Sequence, residues 1–187
     1  MKYYDDQKPS NPLGTAAPQF FPVDTYQHLT YSGFNNALFT SLVLPSGSRA
    51  AVSALTGNAL ESLVKGKVPG ISPRGTISVG PGIDSFSIKA FRFAYITNAA
   101  QGSVAVAVPC VIALYGYNSS EAMEPVQTFS YIPTNSSATE PSQLLLAEPK
   151  PSLLINATIG VSASGAGLAA NLALVLDNLA YTYCMAV

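Results

Sequence analysis

The chain has 187 residues, 48% of them hydrophobic and only 10% charged, with a formal net charge of −1. That length fits one domain with a substantial core, and the near-neutral balance excludes the basic face that nucleic acid calls for. Gly, Pro, Asn and Ser interrupt every apolar run before the ~18 residues of a spanning helix, so a soluble chain without a membrane span is expected.

In chain order, residues 1–20 hold Pro9, Pro12, Gly14 and Pro18 with little periodicity and read as an extended N-terminal arm, leaving 21–187 as a single domain. The first six residues, MKYYDD, are polar and carry no apolar signal region. The expectation is that Met1 starts a mature sequence whose signal peptide has been removed. Between 25 and 43, aromatic and aliphatic residues flank Ser32-Gly33-Phe34-Asn35-Asn36, which predicts a strand, a turn and a strand. Residues 50–64 are the one helical candidate, weakened by Gly57-Asn58 at its centre. The stretch 65–82, KGKVPGISPRGTISVGPG, predicts a loop with a short strand at 76–79. Strands follow over 85–97, 103–117, 126–132, 143–147, 152–162 and 172–183, parted by turn signals at 98–102, 118–120, 133–137 and 164–167.

Many strands with no helices between them imply antiparallel sheets, and two such sheets face to face make a β-sandwich or jelly roll. The apolar phase of the 86–95 strand runs Phe86, Ile88, Ala90 and then switches to Phe91, Phe93, Tyr95. A period of two changes phase only at a bulge or in a strand buried on both faces. Either device leaves Lys89 and Arg92 beside apolar surface.

Low charge with 14 Gly and 14 Pro suits an extracellular β-protein. Three sequons, at Asn118, Asn135 and Asn156, add to that expectation and are candidate glycosylation sites. Several enzyme classes are excluded by inventory. A zinc site needs three or four ligands, and the chain has one His and two distant Cys. There is no P-loop and no GxGxxG, and His28 lacks the GxSxG elbow of a hydrolase triad.

Five stretches carry a family resemblance: Phe86-Ser87-Ile88-Lys89-Ala90-Phe91; Asn98 with Gly102; Val108-Pro109-Cys110 running into Tyr115-Gly116-Tyr117; Gln127-Thr128-Phe129; and Leu176-Asp177-Asn178-Leu179-Ala180-Tyr181-Thr182. On these the chain, from about residue 26 to 182, resembles small secreted fungal proteins with a β-sandwich related to carbohydrate-binding modules. That group includes the hetero-Diels–Alderases of tropolonic sesquiterpenoid biosynthesis. The resemblance implies a cofactor-free and metal-free cycloaddition of a tropolone quinone methide onto a humulene-type alkene, with apolar small molecules as partners. Other relatives are presumed glycan or cell-wall binders, and the motifs are common to both. The family often has a cysteine in the strand that here reads Phe93-Ala94-Tyr95-Ile96. Its absence leaves Cys110 with only Cys184 as a partner, so a Cys110–Cys184 disulfide and two free buried thiols both stay open.

A pericyclic reaction needs an apolar cavity that orients two partners, donors for charge developing on the dienone oxygen, and a general acid for loss of water. Five of the nine basic residues fall between 65 and 92. Lys67 and Arg74 on the loop, with Arg92 and Tyr95, are the candidate donors. Asp177 shares strand parity with Val175, Leu179 and Tyr181. It is either a general acid or a buried carboxylate satisfied by a neighbouring loop. His28, Tyr31, Phe34 and Tyr117 are candidate substrate contacts. The leading expectation, carried chiefly by the resemblance, is a pericyclase. The alternatives are a carbohydrate- or cell-wall-binding module and a secreted interaction protein, with homo-oligomerisation left open. An exposed planar row of aromatics would favour the glycan binder, and an enclosed apolar cavity with convergent donors the enzyme.

Overall fold

Alternating apolar and polar residues become strand along most of the described chain, residues 21–38, 42–47, 49–54, 74–97, 106–135, 142–164 and 172–186 of a computed structural model. The first sheet runs in the order β1 (Phe21–Pro22), β4 (Asn35–Leu38), β6 (Arg49–Ala54), β14 (Ala173–Met185), β8 (Ile83–Ile96), β12 (Leu145–Ala147). The second runs β10 (Gln127–Tyr131), β9 (Cys110–Tyr117), β13 (Asn156–Ser164), β7 (Arg74–Val79), β3 (Leu29–Ser32), β2 (Thr25–Tyr26). Every pairing within the two sheets is antiparallel. The architecture is all-β and sandwich-like.

Phe91 and Phe93 of β8 point from the first sheet into the second. Their rings meet Phe129 at 5.7 Å, edge-on, and Tyr131 at 5.9 Å. Both phenylalanines are fully buried, each contributing roughly 1.5–3 kcal/mol. Leu29, Ile77, Ile112, Ile159, Leu174 and Leu176 fill the same layer.

The phase switch in β8 comes from two bulges lying side by side. From Asp177 to Ala180, β14 takes three steps while its partner moves only from Arg92 to Ala90. From Ala180 to Tyr181 it takes one step while the partner moves from Ala90 to Ile88, which leaves Lys89 unpaired. Asn178 absorbs the first bulge with φ 52°. The extra residues turn Phe86 and Ile88 to the same side as Phe91 and Phe93, and Lys89 is exposed.

The first sheet is also buried on its outer face, where Val52, Ala94, Ile96, Ala173 and Val175 have almost no exposure. Over it lies a third element, the parallel pair β5 (Leu42–Val43) and β11 (Ser142–Gln143). Arg92 Nη1 donates to the Leu144 carbonyl at 3.4 Å, and Leu42, Leu44 and Leu144 join the core. This cover explains why residues 49–54 are strand, against the helix expected from 50. Ala50, Ala51, Val52 and Ser53 are all buried, so a central strand covered on both faces has no alternation and mimics a helix. The expected 143–147 strand divides at Leu144, β11 joining β5 and β12 joining β8. The expected short strand at 76–79 begins earlier, at Arg74.

Cys110 and Cys184 are both free, Cys110 buried and Cys184 exposed, which corrects both the disulfide and the pair of buried thiols. Cys110 opens β9 opposite Tyr131, whereas Cys184 pairs with Ser85 beside the β7–β8 turn. The far end of β9, Tyr117, is the one that lies toward that turn through Ile155 and Val79. Seven residues of strand, about 23 Å, therefore part the two thiols, and a disulfide needs Cα atoms within about 7 Å. Among the described residues no helix is long and apolar enough to cross a membrane. The arm 1–20 and Lys67 lie outside the described residues.

Candidate functional site

Sheet parity sorts the candidate residues. Leu114 and Gly116 of β9 face the core, so Tyr115 and Tyr117 face outward from the second sheet, both half-buried. Register then extends each tyrosine into a row of polar groups. One row runs Tyr117, Asn156, Ser78, Thr30, Thr25 across five strands. The next runs Tyr115, Thr158, Thr76, Ser32 across four. At about 4.8 Å per strand the longer row spans about 19 Å.

Local bonds hold these rows in place. The Thr76 and Thr158 hydroxyls are 3.3 Å apart, those of Thr25 and Thr30 3.4 Å, and Ser78 Oγ donates to the Thr30 carbonyl at 3.5 Å. Asn156 Oδ1 is buried, and among the described residues no hydrogen bond reaches it. Arg74 lies across Gly160 and sets its guanidinium over the Tyr115 ring, 5.3 Å from the centroid. A Cβ at position 160 would stand 2.4 Å from Arg74 Cγ, so glycine makes that crossing available. Arg74, Tyr117 and Asn156, nominated from sequence for three different roles, thus share one outward face.

The other nominated donors do not join them. Tyr95 is fully buried on the core side of the first sheet, where its carbonyl accepts from Val108 N at 2.8 Å. Asp177 and Arg92 stand opposite each other on the outer side of that sheet. Asp177 is fully buried and accepts from Ser46 Oγ, from Ser46 N at 3.3 Å and from Asn178 N at 2.8 Å. It is therefore the carboxylate satisfied by a neighbouring loop, one of the two readings its strand parity allowed. Tyr31 and Phe34, expected as substrate contacts, are core residues packed edge-on at 6.2 Å. A shallow depression, open to solvent, lies over Ile88, Leu114 and Leu154, with Glu124, Gln127 and Lys150 at its rim. None of Arg74, Arg92, Tyr95 or Asp177 lines it.

Of the sequon residues, Asn118 uses both ends of its carboxamide within its turn. Its Oδ1 accepts from Ser120 and Ala122, and Nδ2 donates to Glu124 at 3.1 Å. Asn135 is half-buried. Among the described residues no group of three His, Cys, Asp or Glu could hold a metal ion.

A second aromatic group, of which the sequence nominated only His28, lies at one end of the molecule. His28, exposed on the β2–β3 turn, has its ring 4.9 Å from Tyr183, which is 6.3 Å from Tyr181. Tyr181 Oη donates to the Gln27 carbonyl. Burial, and then the neighbouring Tyr183, push the Tyr181 hydroxyl up to about 12, so it stays a donor at physiological pH. The signal for both groups was in the sequence as Tyr at i and i+2, at 115 and 117 and at 181 and 183. Which side of the sheet they occupied was not.

No protein-family model matches the chain, and no curated protein matches it in sequence.

Proposed function

We propose that this chain is a non-catalytic carbohydrate-binding domain whose second sheet offers its outer face to a neutral polysaccharide. The observation that carries the reading is the pair Tyr115 and Tyr117, side by side and outward, continued by rows of Ser, Thr and Asn. A pyranose ring has C–H faces and a hydroxyl rim. An aromatic ring takes the C–H face through dispersion and apolar burial, and side-chain hydroxyls and carboxamides exchange hydrogen bonds with the rim. Among the described residues, Arg74 is the one formal charge in these two rows and the Ala113–Gly160–Arg74 row beside them, so the face complements an uncharged chain. Such a ligand belongs to a cell wall or an extracellular matrix, the setting the three sequons suggested.

Tyr95 and Asp177, two of the groups expected to serve a cycloaddition, face opposite sides of the first sheet and so do not converge on one substrate. The deciding experiment is titration with soluble oligosaccharides of glucose, mannose and N-acetylglucosamine, and co-sedimentation with the insoluble polymers. Tyr115→Ala and Tyr117→Ala should each weaken binding by roughly tenfold or more. A protein that binds none of these glycans, but speeds the reaction of a tropolone quinone methide precursor with a humulene-type alkene, would replace this reading with the pericyclase.

A further inference from the structure

Two residues, Gln27 and His28, connect β2 to β3, with Tyr26 paired to Leu29 on either side. Both have positive φ, 52° and 74°, the pattern of a type I′ turn. Asn-Gly meets that pattern with the least strain, because glycine carries no Cβ and asparagine tolerates the left-handed region. Here neither position has the favoured residue.

The turn is held in this shape from outside. The Tyr181 hydroxyl donates to the Gln27 carbonyl. The Gly80 amide donates to the His28 carbonyl at 3.0 Å, an approach that a Cβ at position 80 would block at 2.6 Å. Asp24, also at positive φ (48°), accepts from Tyr31 N at 2.6 Å and fixes the start of the hairpin. Strain that the surroundings maintain, where a relaxed pair would build the same backbone, points to the side chains as the reason for it. Those side chains are presented at the surface: His28 is exposed, and its ring is inclined at 42° to that of Tyr183, itself 40% exposed.

We propose that this corner is a second sugar-binding site, separate from the outer face of the second sheet, that takes a single pyranose ring at the end of a glycan chain. The C–H face of the sugar lies on Tyr183, and the His28 imidazole and Gln27 carboxamide exchange hydrogen bonds with its hydroxyls. A lone exposed ring, with His28 packed against it, suits an end unit, where the sheet offers a row. The proposal rests on carbohydrate as the ligand class, but on residues that share no contact with Tyr115 or Tyr117, so each site can fail alone.

The test is an NMR titration of the full chain with methyl glycosides and the oligosaccharides above, following the ring protons of His28 and Tyr183 alongside those of Tyr115 and Tyr117. The methyl glycosides should shift His28 and Tyr183. The double variant Gln27→Asn with His28→Gly should raise the thermal midpoint by roughly 4 °C as the turn relaxes, and abolish the glycoside-induced shift of the Tyr183 ring protons. Tyr183→Ser, at an exposed strand end, should weaken end-unit binding at least tenfold with the fold intact. If the double variant is no more stable than the parent, or keeps the parental affinity, the proposal is overturned. It is also overturned, with the sheet site left standing, if glycans shift only Tyr115 and Tyr117. Shifts confined to His28 and Tyr183 would support it and remove the sheet site instead.

Discussion

Asp177→Asn isolates what the buried carboxylate contributes. Asp177 Oδ1 accepts from both Ser46 Oγ and Asn178 N, and Oδ2 accepts from Ser46 N. An asparagine can keep the first two on its single oxygen, but its Nδ2 then faces the Ser46 amide, donor against donor. One charge-assisted bond is lost and one buried donor is stranded, about 2–3 kcal/mol. Asp177→Ala strands these three donors and should cost about 3–5 kcal/mol. In a domain of this size each kcal/mol moves the thermal midpoint by roughly 2–4 °C. The asparagine variant should therefore melt roughly 4–12 °C early and the alanine variant earlier still. Calorimetry or urea denaturation measures both. A double-mutant cycle with Ser46→Ala should show a coupling of about 1–3 kcal/mol, as expected for directly bonded residues. Asparagine melting within a degree of the parent, or no coupling to Ser46, would refute the claim that this carboxylate fastens the 42–47 cover to the first sheet.

Gly160→Ala should push Arg74 off Tyr115, because the new methyl would meet Arg74 Cγ at 2.4 Å and Cβ at 3.2 Å. The Tyr115 ring-proton shifts should move, and glycan affinity should fall several-fold, with no further loss on adding Arg74→Ala; unmoved shifts would show that the crossing is not held in solution. Stability should also decline in alkali. Burial raises Cys110 from its usual 9.0 to about 12 and, with Tyr183, raises Tyr181 from 10.0 to about 12; Tyr131 is raised as well, chiefly by burial. In each case the folded state favours the protonated form, so this stabilisation is complete below about 9 and lost as pH rises to about 12. Urea midpoints across that window should fall, less steeply for Tyr181→Phe, and a flat profile would count against the burial of these groups.

The strand at 127–131 was legible from one apolar face repeated every second residue, and those at 83–96 and 173–185 as apolar, β-branched and aromatic runs bounded by turn signals. The break in the Phe86–Tyr95 phase was legible as a bulge or double burial, and the molecule uses both. Residues 49–54 were misread because a strand covered on two faces loses its alternation, and the cover comes from segments 42–47 and 142–144, the latter about ninety residues away. At the candidate site, Arg74 and Tyr117 were visible as single residues of suitable chemistry. Their neighbourhood with Tyr115, Thr158 and Asn156 depends on the register of β7, β13 and β9, which no local pattern encodes.

The sequence by itself determined the class of the molecule: sheet rather than helix, in a chain rich in apolar residues and poor in charge. Those properties depend on composition and on contacts between near neighbours. Only the tertiary structure decided that Tyr95 and Asp177 are buried on opposite sides of one sheet while Tyr115 and Tyr117 face solvent on the other. The reason is physical. A strand's period marks two faces without saying which is inside, and that choice is made by apolar burial against partners from distant parts of the chain.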